Sequence, residues 1–156
     1  MNKNLKIEKS PELAEIKISY KSKVKPSERK QILSSKDSYE ILKNLFDENT
    51  IEHHEEMIML CLNRANRLLG WVKISSGGIT GTVCDPRVIF QIALSSNSTN
   101  IIIAHNHPGG STKPSQEDIN LTKRISQGGL ILEIRLLDHI IISSESYFSF
   151  ADEGMI

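Results

Sequence analysis

Two histidines one residue apart, His105 and His107, stand directly after the apolar run Ile101-Ile102-Ile103-Ala104, and a Ser-x-x-Asp unit, Ser115 and Asp118, follows across a loop rich in proline and glycine. On an extended segment side chains alternate with a period of two, so His105 and His107 project from one side and Asn106 between them points to the other. The loop through Pro108 and Pro114 reverses the chain, which lets Asp118, one turn into a helix opened by Ser115, return a carboxylate oxygen to the two imidazoles. Two neutral nitrogens and one carboxylate suit Zn2+, and three protein ligands leave the fourth tetrahedral position to water, the arrangement of catalytic rather than structural sites. Each fragment alone has a plainer reading. A histidine pair at a strand end is often a hydrogen-bonded loop feature, and Ser115-x-x-Asp118 resembles a capping box. Their combination at this spacing is far more specific than either part.

These groups must be held by elements that the apolar pattern makes legible. Alternation of Ala14, Ile16, Ile18 and Tyr20 with polar neighbours predicts a half-exposed strand within 13–24, broken by Pro26-Ser27-Glu28. Asp37 or Ser35 then caps a short helix whose Tyr39, Ile41, Leu42, Leu45 and Phe46 recur at helical spacing. A strand at 57–62 turns through Asn63-Arg64-Ala65-Asn66 and returns at 68–74 as a hairpin that Gly77-Gly78 ends. Asp85 as N-cap with Pro86 at the first helical position opens a helix running to about Ser95. The run 101–104 is β-branched and apolar on both faces, as a strand covered on each side must be. A helix from Ser115 closes near Gly128-Gly129, strands follow at 130–136 and 140–143, and a short one lies near Phe148. The order predicts an α/β sandwich with a mixed sheet.

The chain has 156 residues, 38% hydrophobic and 24% charged, which fits one globular domain plus a tail and excludes disordered and membrane classes. The expected division is a basic N-terminal arm at 1–34 and a body at 35–156. Residues 1–36 hold ten Lys or Arg against four Glu in a chain of zero formal charge, so the body is acidic. Clustered cations of this kind neutralise phosphates, which makes nucleic acid a candidate partner of the arm, although a solvated Lys-rich segment reads the same way. No apolar run approaches the roughly 18–20 residues of a membrane span, and the N-terminus lacks the hydrophobic core of a signal peptide, so no membrane partner and a cytoplasmic location are expected. Cys61 and Cys84 have no CxxC spacing and read as reduced packing residues.

The segment from His105 to Asp118 resembles the JAMM (MPN-plus) metalloprotease signature, His-x-His, seven residues, Ser-x-x-Asp. Its flanks resemble the RadC family of bacterial proteins: Asn-His-Pro-Gly-Gly with Lys-Pro-Ser-Gln-Glu-Asp-Ile, Arg135-Leu136-Leu137-Asp138-His139, Phe148-Ser149-Phe150 with Glu153-Gly154, and Leu62-Asn63-Arg64-Ala65-Asn66. The similarity covers about Ser35 to Ile156. It implies a cytidine-deaminase-like three-layer α/β/α fold and a zinc hydrolase site that cleaves an amide or isopeptide bond in a peptide or protein. It also implies a glutamate at the start of the strand ahead of the metal loop that holds and deprotonates the zinc-bound water, carried here by Glu55, with Glu56 the alternative if the register slips by one. The motif's serine is Ser115, whose implied role is a hydrogen bond to the tetrahedral oxyanion.

The competing implication is a DNA-repair or mobile-element accessory protein that acts by binding. Longer RadC proteins carry a helix-hairpin-helix module associated with DNA, for which this chain has neither the length nor the glycine hairpin. Asn106 stands where many JAMM proteases have Ser or Thr. A nucleoside deaminase would need His-x-Glu and Pro-Cys-x-x-Cys, and neither occurs. His139 reads as a hydrogen-bonded partner rather than a ligand, His53 and His54 as solvent-exposed, and Trp71 as a possible border of a substrate groove.

Overall fold

The computed structural model describes residues 19–22, 24–77 and 84–156. After a single 3-10 turn at Pro26–Glu28, the elements are α1 (Ser35–Lys43), β1 (Glu56–Leu62), β2 (Leu68–Ser76), α2 (Pro86–Ser95), β3 (Asn100–Asn106), α3 (Gln116–Leu132), β4 (Arg135–Ile142) and β5 (Tyr147–Ser149). The strands form one mixed sheet in the order β2-β1-β3-β4-β5, with β3 at its centre, antiparallel to β1 and parallel to β4.

Period-two side-chain alternation sorts each central strand into two cores. Ile58, Leu60 and Leu62 of β1, with Ile102 and Ala104 of β3 and Ile140 and Ile142 of β4, pack under Leu42 of α1 and Phe46. Met59 and Cys61 of β1, with Ile101 and Ile103 of β3, face the other way against Ile89, Phe90 and Ala93 of α2 and Ile125 of α3. The result is the expected three-layer α/β/α sandwich: α1, the mixed sheet, then α2 with α3. Every residue of β1 and β3 is buried, and full burial of an aliphatic side chain contributes about 1.5–3 kcal/mol, so these strands carry much of the stability.

Several local expectations need correction. The cap of α1 is Ser34, not Ser35 or Asp37: Ser34 Oγ accepts from the Asp37 amide while the Asp37 carboxylate accepts from the Ser34 amide, a reciprocal capping box. The Gly128-Gly129 pair does not end α3, which runs on to Leu132 and closes at Glu133 in a left-handed conformation, φ 55°. Both glycines are there for close approach. A Cβ on Gly128 would lie 2.7 Å from Phe90 Cε2, and one on Gly129 would overlap the Ile134 carbonyl oxygen. Of the strand expected at 130–136, residues 130–132 are helical and 133–134 form the connection, while 135–136 join 140–142 of the strand expected at 140–143 in the single strand β4. The strand expected within 13–24 lies mostly outside the described residues. Residues 19–22 and Val24 are not in a strand, and Tyr20 reaches β2 through a hydrogen bond from its hydroxyl to the Leu69 carbonyl, 2.8 Å. Among the described residues no helix is long and apolar enough to cross a membrane.

Candidate metal centre

The chain leaves the central strand β3 at His105 and Asn106, and His107 prolongs the pairing with β4 by donating its amide to the Ile142 carbonyl, 2.9 Å. His105 shares the sheet face of Ile101 and Ile103, the face that α2 and α3 cover. Gly110, at φ +80°, takes a left-handed conformation and lets the loop fold back, so the Ser111 carbonyl meets His107 Nδ1 at 2.6 Å. The loop then delivers Ser115 as the N-cap of α3. Its hydroxyl accepts from the Asp118 amide at 3.1 Å and donates to Asp118 Oδ2 at 2.7 Å, and its amide donates to the same oxygen at 2.7 Å. The capping box that competed with the metal reading is thus present, and it is also what holds the Asp118 carboxylate in place. Its other oxygen, Oδ1, stays open toward the histidines.

One donor atom from each of His105, His107 and Asp118 lies within 4.8 Å of the others. His105 Nε2 is 3.0 Å from His107 Nε2 and 3.1 Å from Asp118 Oδ1, and His107 Nε2 is 3.6 Å from Asp118 Oδ2. Ligands held at zinc distances around a tetrahedral ion are about 3.3–3.5 Å apart, so this triangle has the size and the donor types of a divalent-metal site. The orientation of His107 also fits: Nδ1–H donates to the Ser111 carbonyl, which leaves Nε2 as the nitrogen facing the centre. Burial works against ionisation of Asp118, but the adjacent His105 and His107 imidazoles and the Ser115 hydroxyl overcome it and hold the carboxyl far below its usual range. Asp118 in turn raises the pKa of His107 against the opposing effect of burial, with smaller contributions from the Ser111 carbonyl and the charge of Glu55.

Glu55 and Glu56 are separated by the sheet. Glu56 is the first residue of β1 and is buried, its Oε1 taking contacts from Lys73 Nζ at 2.7 Å and His54 Nε2 at 3.1 Å. Burial alone would raise its pKa, and the hydrogen bonds from Lys73 and His54, with the Lys73 charge, reverse that into a net lowering. Glu55 precedes the strand and lines a cleft of about 270 Å³ together with Met57, Cys84, His105, Asp118, Leu121 and Arg124. Of the two carboxylates, Glu55 is therefore the one that the structure brings to the metal candidate. His54 departs from its expected exposure, its side chain being 21% accessible and engaged with Glu56. Burial pushes the Cys84 thiol up to about 11, with Asp85 adding to the effect, so it stays protonated at neutral pH.

Asn106 sits on the other face, fully buried. Its Oδ1 accepts from the Glu56 amide at 2.7 Å, and its Nδ2 donates to the carbonyls of Ile51 and His54 at 2.7 and 2.8 Å. It ties the segment carrying Glu55 to the strand carrying the histidines. His139, on β4 beside Ile103, is fully buried and stacked on Phe150 at 4.7 Å between ring centroids. Its Nε2 is 2.8 Å from His105 Nδ1, and its Nδ1 is 2.7 Å from Thr122 Oγ1. Burial, then the proximity of His105, holds its pKa well below the ordinary value, so it is neutral. Sequence reasoning gave His139 a hydrogen-bonding role and passed over Thr122. The available signal was the spacing of Thr122 four residues after Asp118, which puts both on one face of a helix. The Ser111 contact had no signal, since it is made by a backbone carbonyl.

A mixed sheet between helix layers, with this cluster at the end of its central strand, is an α/β fold of the JAB/MPN type. The chain belongs to the RadC family: residues 32–155 match the family model of the RadC-like JAB domain. It is 42% identical over 126 residues to a UPF0758 protein of Flavobacterium johnsoniae, covering 81% of this chain and 54% of that protein. UPF0758 proteins of Aquifex aeolicus and Methanosarcina barkeri are 39% and 37% identical over 128 residues, covering 82% of this chain and 54% and 55% of theirs. The chain thus spans about half the length of the curated relatives it matches.

Proposed function

We propose that this domain is a metal-dependent hydrolase of an amide or isopeptide bond, with zinc held by His105, His107 and Asp118. The observation that carries the reading is the triangle of donor atoms, 3.0 to 3.6 Å on a side, at a cleft that Glu55 also lines. Zinc in that position supplies Lewis acidity and brings the pKa of a bound water to about 7. Glu55 takes a proton from the attacking water as its oxygen bonds to the carbonyl carbon, then gives that proton to the amine nitrogen as the C–N bond breaks. Such proton transfer contributes about 10²–10⁴-fold. Ser115 turns its hydroxyl from Asp118 to the developing oxyanion, while its backbone amide keeps its bond to Asp118 Oδ2. In this reading the substrate, a peptide or protein chain, lies in the cleft that Leu121 and Arg124 also line.

The test is metal analysis of the full chain followed by turnover of peptide and isopeptide-linked fluorogenic substrates. Zinc near one equivalent per chain, activity lost to a chelator and restored by zinc, and loss of turnover with metal retained in Glu55→Gln support the proposal. Zinc bound with no turnover of any substrate in the wild type turns the reading toward the accessory protein that acts by binding. Salt-sensitive DNA affinity lost on removal of residues 1–36 would then identify the arm as the contact.

A further inference from the structure

We infer that Thr122 and His139 are positioning residues which hold a proton on His105 Nδ1, so that Nε2 is the nitrogen His105 turns to the metal centre. The inference follows from counting protons along three contacts: Thr122 Oγ1 to the Asp118 carbonyl at 2.7 Å, Thr122 Oγ1 to His139 Nδ1 at 2.7 Å, and His139 Nε2 to His105 Nδ1 at 2.8 Å. A hydroxyl has one proton to donate, and a neutral imidazole has one protonated nitrogen. The backbone carbonyl can only accept, so it sets the direction of the chain. If the Thr122 proton goes to the Asp118 carbonyl, Thr122 Oγ1 accepts from His139 Nδ1–H, His139 Nε2 accepts from His105 Nδ1–H, and all three contacts are hydrogen bonds. The reverse direction places the Thr122 proton on His139 Nδ1. Two oxygens, of Thr122 and of the Asp118 carbonyl, then face each other at 2.7 Å without a proton between them. Inside a core where His139 is wholly excluded from water, nothing compensates that contact.

The favoured direction ends with Nδ1–H on His105, which makes Nε2, 3.1 Å from Asp118 Oδ1, the nitrogen that faces the metal centre. His107 reaches the same state by a shorter route, through the Ser111 carbonyl. Both imidazoles are therefore prepared by a backbone acceptor, one directly and one through two intervening side chains. Thr122 is bonded to the carbonyl of Asp118 itself, so the helix turn that supplies the carboxylate ligand also sets the protonation of the histidine opposite it. Stacking on Phe150, with an interplanar angle of 10°, keeps the His139 ring from turning out of this line.

The value of the relay for metal binding rests on the proposed metal site, whereas the tautomer itself does not. It is read from side-chain nitrogen NMR of the full wild-type chain without metal near pH 7.5. The expected spectrum has His139 protonated at Nδ1 alone and His105 protonated at Nδ1. A His139 protonated at Nε2 would overturn the inference, whatever the chain does with zinc. The second arm is zinc affinity measured by competition with a chromophoric chelator. Thr122→Val should weaken it about 10–100-fold, the range typical for partners of metal-bound histidines, and move the His139 signals toward the other tautomer. Thr122→Ser should restore both to near wild type. Unchanged affinity and unchanged signals in Thr122→Val defeat the relay. A wild-type chain with the expected tautomer and no zinc binding defeats the metal reading instead.

Discussion

Glu55 and Glu56 are adjacent in the chain and lie on opposite sides of the sheet: Glu56 is buried against Lys73 and His54, and Glu55 lines the cleft of His105 and Asp118. The same alternation that divides β1 between two cores divides the two carboxylates between two tasks. Conversion of each to glutamine should separate the phenotypes. Glu55→Gln is expected to keep its fold and metal while losing about 10²–10⁴-fold in turnover. Glu56→Gln is expected to lose about 1–3 kcal/mol of stability, because Lys73 and His54 lose their charged acceptor. Thermal denaturation and zinc content of the two variants, measured side by side, check the assignment; the opposite pattern would exchange the roles.

The Glu56 cluster also gives the acid limb of stability a defined origin. Its folded pKa lies below the ordinary 4.5, so the ion pair contributes stability that is complete above that value and is lost as pH falls through the folded pKa. Wild-type stability should therefore decline on acidification below about pH 4.5, and Glu56→Gln should start lower at neutral pH and decline less steeply. Denaturant melts from pH 3 to pH 7 read both slopes, and parallel curves would remove Glu56 as the source.

Asn106 holds three buried backbone groups at once: the Glu56 amide and the carbonyls of Ile51 and His54. Asn106→Asp keeps the shape and the acceptor but removes both donors, leaving a carboxylate against two carbonyl oxygens. The expected loss is at least about 2 kcal/mol, since each buried group left unsatisfied costs about 1–3 kcal/mol. The effect should extend to Glu55, one residue from the anchored amide, so residual folded protein should show reduced turnover even with zinc bound. A variant as stable as wild type would mean that this clip does not hold the segment.

Ser115 is both a helix cap and the support of Asp118 Oδ2. Ser115→Ala should lower the stability of the metal-free chain by about 0.5–2 kcal/mol and weaken zinc binding as well, because Asp118 is less constrained. Ser115→Thr retains the hydroxyl and should recover the cap. Loss of stability without any loss of zinc affinity would confine Ser115 to capping.

The layers and the clustering of His105, His107 and Asp118 were legible because they depend on short periods: two for the strands β1 and β3, and three to four for the helices packed on them. What escaped was set by contacts distant in sequence. Thr122 and His139 meet across an α/β connection, and the pairing of Glu56 with Lys73 depends on the hairpin register. Ser34 was passed over as the cap of α1 because Ser35 and Asp37 are equally good capping types, and Asp37 does take part, as the reciprocal partner of Ser34. The glycine pair misled for a related reason, since glycine that ends a helix and glycine that admits a neighbour look alike in a sequence.

That distinction predicts opposite outcomes from what helix propensity alone would give. Within α3, replacing glycine by alanine should gain about 1 kcal/mol if the position were open. At Gly129 the added Cβ would overlap the Ile134 carbonyl, which cannot turn aside because the Arg135 amide in the same peptide plane is tied to the Thr99 carbonyl at 2.9 Å. Gly129→Ala should therefore be destabilising by about 1–3 kcal/mol, the usual range for overpacking. At Gly128 the obstacle is the edge of the Phe90 ring at 2.7 Å, a side chain that can shift, so the propensity gain offsets most of the crowding and Gly128→Ala should stay within about 1 kcal/mol of wild type. Denaturant unfolding of the two variants decides the matter: a stabilised Gly129→Ala would mean that the turn from α3 into β4 has slack that the packed geometry denies it.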